Sequence, residues 1–172
     1  MHLNGEFIEG KPKKLSKISH ANFVSWLIQD VPRLEIYHLD VHAYQTASHP
    51  DQAEEVISYL NNTTKLITDY ELHVLSEDEI FAKLPKNKKI YLSIDVDVLQ
   101  TALMPSTGFP VATGISLSKF WIMLNYILNN NIIRGVDIME YKEEDSNKMR
   151  LATSQLIITM INFILEKIAN QI

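Results

Sequence analysis

The sequence predicts an α/β fold, a three-layer αβα arrangement built on a parallel sheet. Three observations predict it. Helical and strand-like stretches alternate along the chain, which calls for crossover connections rather than hairpins. Two strand candidates, Ile90–Ile94 and Ile132–Met139, are nearly continuous apolar runs, as expected of strands covered on both faces. The 172 residues, 46% hydrophobic and 22% charged, are enough for one domain with a core of its own. No internal repeat or composition shift divides them, so 1–172 reads as a single domain, with 1–17 a loop or flexible start.

Residues 1–17 are polar, with Gly5, Gly10, Pro12 and a lysine cluster that reads as a solvated face. Ser19 suits the cap of a helix from His20 to Gln29, with Phe23, Trp26 and Leu27 at helical spacing; Pro32 ends it. Leu34–Val41 reads as a strand and Asp51–Leu60 as a helix. A short strand is expected within 65–75, Leu72–Ser76 (LHVLS) being its best-placed part. Ser76 and Glu79 form a capping box that opens a short helix to Leu84. The central strand follows. Ser116 caps a helix over Leu117–Leu128 with an apolar face. Ile132–Met139 is the next strand, and Asp145 or Ser146 caps a last helix over about 148–168. From Leu156 to Leu165 that helix is apolar nearly all round, which places it among several neighbours or in a subunit interface.

The stretch Lys89–Gly114, KIYLSIDVDVLQTALMPSTGFPVATG, carries the chemistry. Its apolar run ends in Asp95-Val96-Asp97. Alternation along a strand sends the two carboxylates from one face. Two like charges side by side repel unless one is protonated or a hard divalent cation lies between them. The carboxyl ends of strands are where open α/β sheets bind ligands. Pro105, Gly108, Pro110 and Gly114 make the continuation a turn-rich loop.

Ser93, Asp95, Asp97, Leu99, Pro105, Thr107, Gly108, Pro110, Gly114 and Ser116 fall in register with the Ser-Phe-Asp-x-Asp, Pro-Gly-Thr-Gly-x-Pro and Gly-Gly-Leu-Ser/Thr patterns of the ureohydrolases. Gly135-Val136-Asp137-Ile138-Met139-Glu140 is similar to that family's Gly-x-Asp-x-x-Glu strand. The sequence therefore resembles the C-terminal portion of an arginase, agmatinase or formimidoylglutamase. The resemblance implies an N-terminally truncated arginase/deacetylase-like fold. It also implies hydrolysis of a guanidino or amidino C–N bond through a manganese-bound hydroxide, with two manganese ions in the family. Asp95 and Asp97 would be metal ligands, Asp95 suited to bridging. Glu140 would hold the guanidinium, and His20, matching part of a Ser-His-Gly motif, would relay protons. His2 and Asn4 would stand for the end of an Asp-x-His-x-Asp motif. The Gly-Gly-Asp-His motif has no counterpart. Gln100 and Thr101 replace an Asp-Pro, and Thr113 the first glycine of Gly-Gly.

A rival site is His38, Asp40 and His42, which alternation puts on one face of a strand in a set suited to zinc or manganese. Net charge is −5 with no basic block, which argues against a nucleic-acid partner. The absence of cysteine excludes disulfide and thiolate chemistry. No apolar run or signal core suggests a membrane. The expectations are a cytoplasmic protein, a small guanidino-type substrate, and a homo-oligomer or a complementing chain. The alternative to an enzyme is a non-catalytic pseudoenzyme or subunit of a ureohydrolase-like assembly.

Overall fold

A computed structural model of the chain describes residues 7–8, 11–12, 23–31, 33–41, 58, 61–108, 110–142 and 147–171. The chain falls into two compact units, Met1–Leu75 and Ser76–Ile172. The helix expected over Asp51–Leu60 lies outside the described residues except at position 58.

In the first unit, β1 (Phe7–Ile8) and β2 (Lys11–Pro12) form a short antiparallel pair inside the stretch expected to be loop. Helix α1 spans Phe23–Asp30, and Val31 N–H still donates to Leu27 at 2.9 Å before the proline. Strands β3 (Tyr37–Val41) and β4 (Lys65–Thr68) pair in parallel, His38 opposite Leu66. The strand expected within 65–75 thus forms at its start, Lys65–Thr68, rather than at LHVLS, and Asp69–Val74 is helix α2. The cause is a second capping box. Thr68 Oγ1 accepts from Glu71 N–H at 3.1 Å while the Glu71 carboxylate accepts from Thr68 N–H at 2.9 Å.

His38 is buried, 9% exposed, and its Nε2 has no hydrogen-bond partner among the described residues. Burial holds its pKa down at about 4, so it is a neutral core side chain. The unfolded chain takes up this proton near 6.5, the folded one only near 4, so stability is retained above 6.5 and lost as pH falls through that window. Urea titrations between pH 7 and 4.5, expressed as wild type minus His38→Gln, are expected to show that loss. Of the rival metal set, His42 lies outside the described residues, as does the side chain of Asp40.

The second unit begins with α3 (Glu77–Lys83), opened by the expected box: Ser76 N–H donates to Glu79 Oε2 at 2.9 Å. Strands β5 (Lys89–Asp95) and β6 (Ile132–Met139) pair in parallel, the registry running from Lys89–Ile132 to Asp95–Met139. Exposure along β5 alternates rather than vanishing. Ile94 is buried, whereas Tyr91 and Ser93 face out and donate their hydroxyls to the Asp137 carboxylate on β6. The sequence expectation of burial on both faces therefore fails on the face that carries this polar ladder.

Helix α4 (Leu117–Asn130) is capped by Ser116, whose Oγ accepts from Lys119 N–H at 3.3 Å. Phe120, Met123, Leu124, Ile127 and Leu128 bury its inner face. Asn131, buried, joins its end to the start of β5. Asn131 Nδ2 donates to Pro85 and Ile127 carbonyls, and its Oδ1 accepts from Lys88 N–H. Helix α5 (Asn147–Ala169) packs through Thr153, Met160 and Ile164 and leaves Leu151, Ile158 and Leu165 exposed. It is buried on one side, not several.

By length and composition Leu151–Ala169 is apolar enough to cross a membrane. It is nevertheless tied to its unit along one face. Phe163 meets Trp121 edge-on at 5.2 Å, Lys167 Nζ donates to Asn129 at 3.0 Å, and Gln171 Nε2 donates to the Leu128 carbonyl. The two faces predict different costs. Ile164→Val is expected to lower unfolding free energy by about 1 kcal/mol, and Leu151→Ala by under about 0.5 kcal/mol, both read by urea denaturation.

Candidate functional site

Strand β5 stops at Asp95, and Val96–Val98 turns into a single 3-10 turn that Asp95 caps, its Oδ1 accepting from Asp97 N–H at 3.4 Å. Asp95 and Asp97 therefore do not share a strand face by alternation, as the sequence suggested. The turn brings them together instead. Val96 and Leu99 fill fully buried positions, which drives the turn inward and leaves the two carboxyl groups side by side. Asp97 responds to that crowding. Burial, the Asp95 charge, a carboxyl–carboxyl hydrogen bond to Asp95 and the Glu140 charge together push its pKa up to about 7.

The loop after the turn folds back on it. Ile115 N–H donates to the Val98 carbonyl at 2.9 Å, and Leu99 and Ile115 form a parallel bridge. A methyl group at Gly114 would stand 2.5 Å from the Leu99 carbonyl carbon and 2.6 Å from Gln100 nitrogen, so only glycine lets the two strands of chain close. Thr101, where the family pattern has proline, donates its hydroxyl to the Val111 carbonyl at 2.8 Å and helps close the same loop.

Glu140 follows Met139, the residue opposite Asp95, so it leaves the neighbouring strand at the same level. Its backbone is left-handed, φ 61°. Gly108 lies against it: a Cβ there would be 3.0 Å from Glu140 Oε2. The next two residues extend this contact: Thr107 bridges Tyr141, and Lys142 N–H donates to the Ser106 carbonyl at 2.9 Å. The structure thus brings Asp95, Asp97 and Glu140 to one end of the β5–β6 pair. His2, Asn4 and His20 lie outside the described residues.

The donor set fits a hard divalent cation in kind, since carboxylate oxygens suit such an ion and burial with the Asp95 and Glu140 charges raises the Asp97 pKa. It is short in number: among the described residues no three His, Asp or Glu side chains are placed to hold one metal ion.

Sequence reasoning missed a group behind the site. Ser106, standing where the family loop pattern has its first glycine, shares a hydrogen bond with Thr153 on α5 at 2.9 Å. Tyr141 Oη and Ser154 Oγ share another at 2.8 Å. The departure Pro-Ser-Thr-Gly at 105–108 was the available signal.

The arginase family model matches residues 9–162. An N(1)-aminopropylagmatine ureohydrolase of Thermus thermophilus is 30% identical over 80 residues, 46% of this chain and 27% of its own. A formimidoylglutamase of Corynebacterium efficiens is 31% identical over 81 residues, 45% of this chain and 26% of its own. The matched region is therefore about a quarter of these relatives' length. Among solved structures, an arginase from Medicago truncatula superposes with a TM-score of 0.56 at 18% identity, covering 91% of this chain and 48% of that one. A putative agmatinase from Clostridium difficile gives 0.52 at 21%, covering 87% and 63%. At these identities the superpositions speak for the fold.

Proposed function

The chain belongs to the arginase family, and from that premise we propose that it carries the Asp95/Asp97 and Glu140 portion of a manganese-dependent ureohydrolase acting on a guanidino or amidino C–N bond. The observation that carries this reading is the placement of Asp95, Asp97 and Glu140 at one end of the β5–β6 pair, where burial first and the neighbouring carboxyl charges next raise the Asp97 pKa. Asp95 and Asp97 would hold manganese, with His2 and Asn4 as the further candidates among this chain's residues. When bound, manganese supplies positive charge and acidifies water.

The other roles belong to this chain's own residues. Glu140 is an exposed acidic side chain, suited to the planar, multiply donating guanidinium cation. Gly108 keeps the approach to its carboxylate open, since any side chain there would press on Oε2. His20 would carry the proton that the leaving nitrogen needs. Guanidino relatives and the family match support a substrate of this class.

The test is urea release with manganese from a panel of guanidino compounds, alone and after mixing with a polypeptide supplying the Gly-Gly-Asp-His and Asp-x-His-x-Asp motifs. Release that requires Asp97 supports the enzyme. A folded protein that releases none under either condition, yet still binds the added polypeptide, is the non-catalytic subunit.

A further inference from the structure

We propose that one turn of α5 is the positioning element for Glu140, acting through the buried Ser106–Thr153 hydroxyl pair; the inference rests on the reading of Glu140 as the guanidinium-holding carboxylate. A glutamate in the left-handed region does not stay there unaided. The two residues that follow it are fastened to one short segment, Tyr141 to Thr107 and Lys142 to Ser106. That segment is in turn fastened to α5. Ser106 is 0% and Thr153 2% exposed, so their 2.9 Å hydrogen bond is made away from water, where breaking it strands a polar group. The adjacent α5 residue, Ser154, shares a hydrogen bond with the Tyr141 hydroxyl. Two consecutive helix residues thus hold both arms of the bridge that carries Glu140. Their hydroxyls act through Ser106 and Tyr141, so they are positioning residues.

The experiment uses the full chain and guanidinium at millimolar concentration as the probe. The intraresidue amide–Hα coupling and cross-peak of Glu140 report its left-handed backbone, and its amide shift reports guanidinium binding. Thr153→Val, which keeps the shape and drops the hydroxyl, is expected to shift Glu140 out of the left-handed signature and to weaken guanidinium binding by about fivefold. Thr153→Ser is expected to restore both. Thr153 makes other interactions as well, so Ser106→Ala breaks the same pair from the loop side and serves if Thr153→Val does not fold. A loss of stability with the Glu140 signature and affinity unchanged in both variants overturns the proposal. Should the wild type bind no guanidinium while Thr153→Val still displaces Glu140, the substrate reading falls and the positioning role stands.

Discussion

Without divalent metal, Asp97→Asn is expected to be more stable than the wild type at pH 8 and equal to it near pH 3.8. In the folded chain Asp97 keeps its proton to about 7, against an ordinary 3.8, because it is partly buried and beside Asp95 and Glu140. Between those values the folded state binds the extra proton. Stability is therefore fully present below 3.8 and falls as pH rises through 7. Three pH units of such linkage correspond to roughly 4 kcal/mol, and solvent screening of a half-exposed group brings this to about 2 kcal/mol. Asparagine cannot ionise, so the variant escapes the loss. Urea denaturation at several pH values, expressed as variant minus wild type, isolates this slope from the opposing one of His38. Manganese should narrow the gap at pH 8, since it supplies the charge that the paired carboxylates lack.

The second large effect is expected at Glu140, where strain and function coincide. A left-handed glutamate costs about 1 kcal/mol relative to glycine in the same conformation. Glu140→Gly should therefore raise the unfolding free energy by about 1 kcal/mol while weakening guanidinium binding by about 30-fold, or 2 kcal/mol, through loss of the charged partner. Glu140→Gln separates the two terms. It keeps the strain and the wild-type stability but loses the charge and the affinity. Calorimetric unfolding and guanidinium titration by NMR check the pair. A Glu140→Gly protein that is less stable than the wild type would show that its side chain, rather than its backbone, decides the balance.

Much of the fold was legible because local signals agreed with it. The Ser76–Glu79 box, the Ser116 cap and the apolar runs of β5 and β6 each specify their element without help from distant residues. The Thr68–Glu71 box was equally local but lay inside an apolar stretch that reads as strand, and there capping outweighed β-propensity. The candidate site was legible as residue types and not as geometry. The meeting of Asp95 and Asp97 depends on Val96 and Leu99 being drawn into the core, which periodicity does not reveal. Nor does sequence show that Ser106 and Thr153, 47 positions apart, share a buried hydrogen bond, or that Glu140 is left-handed. The outward face of α5 escaped because an all-apolar helix looks the same whichever side is covered.

Manganese binding, followed by the loss of the free-ion paramagnetic resonance signal, tests the central claim most directly when wild type, Asp97→Ala and Asp40→Ala are compared at pH 8. A cation site at the end of β5 predicts a dissociation constant raised about tenfold or more by Asp97→Ala and unchanged by Asp40→Ala. Binding that survives Asp97→Ala and disappears with Asp40→Ala would contradict it.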